Sequence, residues 1–155
     1  MNSIKFGTDG WRAIIAKDFT VDNVARVTQG LANWLLQSHQ QPKVVVGHDC
    51  RFGGELFATT VANMLCTNGV KVLLAKGFVS TPMISLGVLQ HKAQQGVVIT
   101  ASHNPPSYNG YKLKGAHGGP SSPTDISAVE ALIPQEVAIP DYSLAHWEAQ
   151  NMLEY

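Results

Sequence analysis

Three apolar runs limit what this chain can fold into: KVVVG at residues 43–47, VKVLLA at 70–75 and GVVITA at 96–101. A strand with one wet face alternates apolar and polar residues. Unbroken β-branched and aliphatic runs instead suit strands buried on both faces, as in a parallel sheet covered by helices. The segments between the runs are long enough for crossover helices, so the spacing predicts an α/β fold: a mixed, largely parallel sheet in an αβα sandwich.

The intervening segments carry the helical period. In TVDNVARVTQGLANWLLQS, Val24, Val27, Leu31, Trp34 and Leu35 recur on one face, with Thr20 as the N-cap. Gly30 weakens the helical signal but permits close packing there. GELFATTVANMLCTNG repeats the rhythm through Leu56, Val61, Met64 and Leu65, and Asn68–Gly69 ends it. In STPMISLGVLQH, Thr81 before Pro82 predicts a helix start, because proline lacks only an amide that would be unpaired in the first turn. A further short helix is expected over 125–133, capped by Thr124 and stopped by Pro134, after a surface loop GAHGGPSSP. IKFGTDGWRAIIAKDF reads as two short strands about an Asp9–Gly10 turn. Residues 140–155 read as a terminal extension, either a last helix or the start of a linker.

Eleven basic and eleven acidic residues cancel, which gives no support for nucleic-acid binding through an extended basic face. A local charge cluster for a small phosphorylated ligand is compatible with that balance. Cys50 and Cys66 have neither CxxC nor disulfide-scaffold spacing, so reduced structural thiols and a cytoplasmic location are expected. No apolar run is long enough to span a bilayer, and MNSIKFGTDG does not read as a secretory leader.

The chemistry concentrates in ITASHNPPSYNGYKLKG, residues 99–115. Ser102 follows a buried strand, at the strand-to-loop address where α/β proteins place ligand sites. His103 carries an imidazole that can relay a proton, and Asn104 can orient a ligand or its own backbone. Asn109–Gly110 predicts a turn that returns Lys112 toward the same cleft, where an ammonium would stabilise phosphoryl oxygens or transfer a proton. There is no GxSxG elbow, and no acid is positioned by sequence to orient His103, which disfavours serine hydrolysis; GxxxxGK[ST] is also missing. Asp49 follows a strand and either contacts this loop or caps the strand end. Arg51 offers a fork for a carboxylate or phosphate.

Taken together, KFGTDGWR, GHDCR and TASHNPPSYNGYK resemble the N-terminal domain of the α-D-phosphohexomutase family, in particular its phosphoglucomutase/phosphomannomutase members. HDCRFGG departs from the family's Asp-x-Arg-x-Ser-Gly pattern at Gly53, and Ser107 stands where an acidic residue is usual. The resemblance implies that residues 1–139 are the first of four domains, with the other three absent. It also implies that Ser102 carries a phosphoryl group exchanged with hexose 1- and 6-phosphates of glucose or mannose through a bisphosphorylated sugar. Lys112 or His103 would transfer protons, Arg12 would act electrostatically, and Asn104, Asp49 and Arg51 would organise the loop or bind substrate. Mg²⁺ would be held in part by the phosphate on Ser102, and glucose 1,6-bisphosphate would serve as activator. The remaining domains of the same polypeptide would be the partners of this one, and the isolated domain would be catalytically incomplete. A phosphoglucosamine mutase fragment and a noncatalytic phosphosugar-binding or assembly domain are the alternatives.

Overall fold

A computed structural model describes residues 4–7 and 9–155. In chain order the elements are β1 (Trp11–Ile14), α1 (Val21–Leu36), β2 (Lys43–His48), α2 (Gly54–Thr67), β3 (Lys71–Phe78), α3 (Thr81–Gln90), β4 (Gln95–Ile99), β5 (Tyr108–Gly115), α4 (Pro123–Ala131), α5 (Leu144–Ala149) and β6 (Leu153–Glu154). They form one six-stranded sheet of order β1-β5-β4-β2-β3-β6. The pairs β4–β2, β2–β3 and β3–β6 are parallel, whereas β5 runs antiparallel to both β4 and β1.

The continuous apolar runs are buried on both faces because alternate residues enter two separate cores. Val44, Val46, Val72, Leu74, Val97 and Ile99 join α1 and α2 in the larger core, while Val45 and Val98 pack with Ile84 and Val88 of α3 in the smaller. Thr20 caps α1 as its sequence predicts, its side chain accepting from the Asn23 amide at 3.2 Å. At Gly30 a Cβ would lie 2.9 Å from Ile133 Cγ1 and 3.0 Å from the Val129 carbonyl oxygen, so its missing side chain is what lets α1 meet the end of α4.

Three local expectations change, and the terminal extension gains detail. The cap of α3 is Ser80, with Thr81 already helical. Helix α4 spans Pro123–Ala131 under a Ser122 cap, because Pro123 takes the first helical position and Ser122 receives the Asp125 amide. The N-terminal pair of strands reduces to an isolated Gly7–Gly10 bridge followed by β1. Residues 140–155 contain α5 and the sixth strand: Trp147 is buried and donates its indole N–H to Asn63 Oδ1 at 2.7 Å, and Leu153 enters the larger core. Among the described residues no helix is long and apolar enough to cross a membrane. Cys66 is buried and its thiol pKa is pushed up to about 12 by that burial, whereas Cys50 is exposed rather than structural.

Alanine favours helix over glycine by about 1 kcal/mol, but overpacking a core contact costs about 1–3 kcal/mol. Because one of the atoms facing Gly30 is backbone, Gly30→Ala is expected to lower stability, by up to about 2 kcal/mol net, in urea unfolding.

Candidate functional site

Parallel strands β2 and β4 end side by side, with His48 opposite Ile99, so the residues that follow them, Asp49 and Thr100, are neighbours at the rim of the sheet. The Asp49 amide donates to the Ile99 carbonyl at 3.1 Å. Thr100 donates its hydroxyl to Asp49 Oδ2 at 2.5 Å and accepts from the Ser102 amide at 3.1 Å. Strand β5 starts from the same rim: the Thr100 amide donates to the Gly110 carbonyl at 3.0 Å, and Arg12 of β1 pairs with Gly110 on the other side. A Cβ at Gly110 would lie 2.5 Å from the Thr100 carbonyl oxygen and 3.0 Å from that of Trp11, so only glycine fits between these backbones.

Asn109–Gly110 is therefore strand rather than turn, a correction with a clear cause. Asn109 is fully buried, its Oδ1 accepting from the Gly110 amide at 2.9 Å and its Nδ2 donating to the Phe52 carbonyl at 3.3 Å. The reversal is made earlier in the chain, by turns closed from the Asn104 amide to the Ala101 carbonyl and from the Tyr108 amide to the Pro105 carbonyl, each 3.0 Å.

Ser102 stands exposed in that reversal, with φ of 55°. A left-handed non-glycine conformation costs on the order of 1–2 kcal/mol and persists only where the surroundings impose it. Arg51 supplies that imposition. Its Nη1 donates to the carbonyls of Pro105 at 2.9 Å and Tyr108 at 3.0 Å, and its Nη2 to those of Ser102 at 2.9 Å and Asn104 at 2.6 Å. Asp49 faces the fork, with Oδ2 3.8 Å from Arg51 Nε and Oδ1 accepting the Arg51 amide at 3.0 Å. The guanidinium thus grips loop carbonyls on four residues, a use of its planar fork for main-chain acceptors beside the Asp49 carboxylate.

The basic side chains form a second group. Arg12 bridges the two, its Nη1 donating to Asn104 Oδ1 at 3.3 Å and its Nη2 to the Asp9 carbonyl at 3.4 Å. Lys112 is buried and donates to Asp9 Oδ2 at 2.7 Å; Lys114, also buried, lies 3.5 Å from Asp9 Oδ1. Burial acts to raise the Asp9 pKa, but the hydrogen bonds and charges of Lys112 and Lys114 outweigh it and hold the carboxyl below its ordinary value of 3.8. His103 is exposed beside Ser102. Sequence reasoning alone does not single out Thr100, Asp9 or Lys114 as site residues. Thr100 lies inside the TASHNP string, whereas the pairing of Asp9 with β5 spans more than a hundred residues.

A divalent cation does not fit this chain alone. Among the described residues no three His, Cys, Asp or Glu side chains cluster as a metal site, and the two carboxylates at the rim are already engaged, Asp49 by Thr100 and Arg51, Asp9 by the lysines.

The family model described as phosphoglucomutase/phosphomannomutase, alpha/beta/alpha domain I, matches residues 3–139. The chain belongs to this family. It is 40% identical over 132 residues to a phosphoglucomutase of Staphylococcus epidermidis, covering 81% of this chain and 23% of that protein. It is 36% identical over 113 residues to a phosphoglucosamine mutase of Clostridium acetobutylicum, covering 73% and 25% respectively. A solved Thermus thermophilus protein, assigned by name as a phosphomannomutase, superposes with a TM-score of 0.88 at 42% identity, over 92% of this chain and 32% of that one. The chain therefore spans only about a quarter to a third of the length of these relatives.

Two outcomes test the site as built. Arg51→Lys keeps the charge but not the fork, so amides of residues 101–108 should exchange with solvent at least about tenfold faster, while β2 and β4 amides change little. For Asp9, the depressed pKa means a contribution to stability that is complete above the ordinary carboxyl value and lost as pH falls through the lower folded value. The stability gap between the native chain and Asp9→Asn should accordingly be constant near neutrality and close in acid, read by thermal unfolding across pH.

Proposed function

We propose that Ser102 is the phosphoryl carrier of a hexose-phosphate mutase of which this chain forms the first domain. The observation that supports this reading best is the exposed Ser102, held in a left-handed conformation by an arginine that grips the loop on both sides of it. A hydroxyl so fixed meets its acceptor in one orientation, and removing orientational freedom accounts for much of the rate gained in group transfer.

In the proposed cycle the bond from phosphorus to Ser102 Oγ breaks as a bond forms to a sugar hydroxyl oxygen. The proton of that hydroxyl leaves to a base, and the departing Ser Oγ receives one. Phosphoryl transfer needs little covalent help but strong stabilisation of charge on the moving group. Arg12, next to Asn104, supplies positive potential at the loop, and His103 or Lys112 carries the proton. The bisphosphorylated sugar then turns over and returns its other phosphoryl group to Ser102, so the serine ends each cycle as it began. Glucose and mannose phosphates are the favoured substrates, and the sugar bisphosphate also serves as activator. Mg²⁺ belongs to this scheme only with donors from outside the chain; when bound it would neutralise charge on the phosphoryl oxygens.

Solvent exposure of large apolar side chains supports the view that other parts of a mutase cover this domain. Phe52, next to Arg51, is 81% exposed, Phe78 is 70% exposed, and Met83, Leu86 and Leu89 line an exposed face of α3. A chain that supplies one wall of a cleft cannot surround a sugar bisphosphate while it reorients.

Two measurements test the proposal. The chain alone should give negligible turnover of glucose 1-phosphate or mannose 1-phosphate with Mg²⁺ and glucose 1,6-bisphosphate. In the complete mutase, Ser102→Ala should reduce interconversion by at least about a thousandfold and abolish the phosphoryl mass increment on the peptide containing residue 102. Wild-type turnover by the Ser102→Ala enzyme would reject the carrier role, and phosphosugar binding without transfer in the unaltered enzyme would favour a binding domain.

A further inference from the structure

The parallel strands β2 and β3 end beside each other, and the start of α2 faces them across a cavity of about 390 Å³ that no residue of the serine loop lines. That size lies within the range of about 300–1,000 Å³ typical of small-molecule sites. Ala58 and Leu74, both buried, give it an apolar wall. The polar groups that line it have no part in the chemistry proposed for Ser102.

His48, only 7% exposed, is the most deeply set of these groups. Its Nδ1 lies 2.8 Å from the Asp49 carbonyl oxygen. A carbonyl can only accept, so Nδ1 holds the proton, and Nε2 of the neutral ring is left as an acceptor. Nε2 has no partner among the described residues, and the ring lines the cavity. The imidazole is also locked in place. Phe78 packs edge-on against it at 5.7 Å and 83°, and a Cβ at Gly54 would come within 2.8 Å of Nδ1, so α2 closes in on the ring from the other side. A histidine held this way presents one lone pair in one direction, and a buried acceptor calls for a donor. Glu55, in the first turn of α2, adds a second acceptor. Thr59 can donate or accept, and Lys76, whose Nζ stands 5.6 Å from the centre of the Tyr155 ring, brings donors to the opposite wall.

We propose that this cavity binds an uncharged polyhydroxylated ligand, a free sugar or a cyclic polyol, at a site separate from the serine loop. Glu55 and Lys76 contribute one charge of each sign, so the cavity favours neither an anion nor a cation. A phosphate would face the Glu55 carboxylate and the Nε2 lone pair. A metal ion would face the Lys76 ammonium, and among the described residues no three His, Cys, Asp or Glu side chains gather to hold one. A hydroxyl donates and accepts at a single atom, which is what Nε2 and Glu55 on one side and Lys76 on the other require together. The C–H faces of such a ligand suit the apolar wall and the rings of Phe78 and Tyr155. None of this depends on phosphoryl transfer by Ser102.

The test is titration of the isotope-labelled chain with glucose, mannose and inositol, and with inorganic phosphate as the charged comparison, followed through backbone amide shifts. At least one of the uncharged probes should give saturable shifts centred on Glu55, Thr59 and Lys76, with a dissociation constant on the order of 1–10 mM. A response to glucose or mannose identifies the ligand as a sugar, and a response to inositol alone as a cyclic polyol; either supports the site. Glu55→Ala, at an exposed position, should weaken binding by at least about fivefold, and His48→Phe, which keeps a packed ring without an acceptor, by at least about tenfold. Melting curves establish that each variant is folded, and the Glu55 comparison stands even if His48→Phe, which also gives up the Asp49 contact, does not fold. The absence of saturable shifts up to roughly 100 mM of every uncharged probe would overturn the site. So would binding indifferent to Glu55→Ala, or phosphate outcompeting the uncharged probes at these residues. Shifts confined to residues 100–112 would report the serine loop instead and would equally reject the cavity, whatever becomes of the carrier role of Ser102.

Discussion

The loop at the rim of this sheet depends on one guanidinium. A reversal of this kind leaves carbonyls with no strand to pair with, and unpaired backbone polar groups near a protein interior are costly. Arg51 collects the carbonyls of Ser102, Asn104, Pro105 and Tyr108 with two nitrogens, and a flat group with fixed donor angles allows few loop conformations that satisfy all of them. The Asp49–Thr100–Ser102 hydrogen bonds reach the same segment from the strand side. The unusual backbone of Ser102 is the outcome of these two constraints acting together.

Those constraints exist because β2 and β4 are parallel neighbours although β3 lies between them in sequence. Parallel adjacency brings the ends of both strands to one rim, which is what sets residues 49–51 against residues 100–108. The antiparallel return of β5 then places alternate residues of one strand under different conditions. Tyr111 turns into the larger core, where Thr28, whose own hydroxyl donates to the Val24 carbonyl, receives the phenol at 3.1 Å. Lys112 turns the other way, to Asp9.

The sheet, both main helices and the position of the serine were legible because each is written locally. A doubly buried strand needs an uninterrupted apolar run, a helix shows its period, and a strand end next to Pro105 and Pro106 announces a loop. What was hidden was non-local. Asn-Gly is a turn signal when the flanking residues are free, but here Asn109 is sealed against the Phe52 carbonyl and Gly110 is squeezed between two strands, so tertiary packing overrides the dipeptide. Arg51 was visible as a fork but not as a clamp on carbonyls, since main-chain acceptors have no sequence signature. Residues 140–155 lacked a recognisable core of their own because Trp147 and Leu153 complete one built by α2 and β3.

That last arrangement bears on how the chain matures during synthesis. The outer side of β3 is paired by β6, only two residues long, and the Met152 carbonyl beside it accepts both the Val72 amide and the Cys66 thiol. Until residues 153–154 have been translated and dock, that margin offers unsatisfied main-chain groups to any passing strand. Pairing with β6 removes the hazard, so this short segment acts as a selvedge that keeps the growing sheet from fraying into its neighbours.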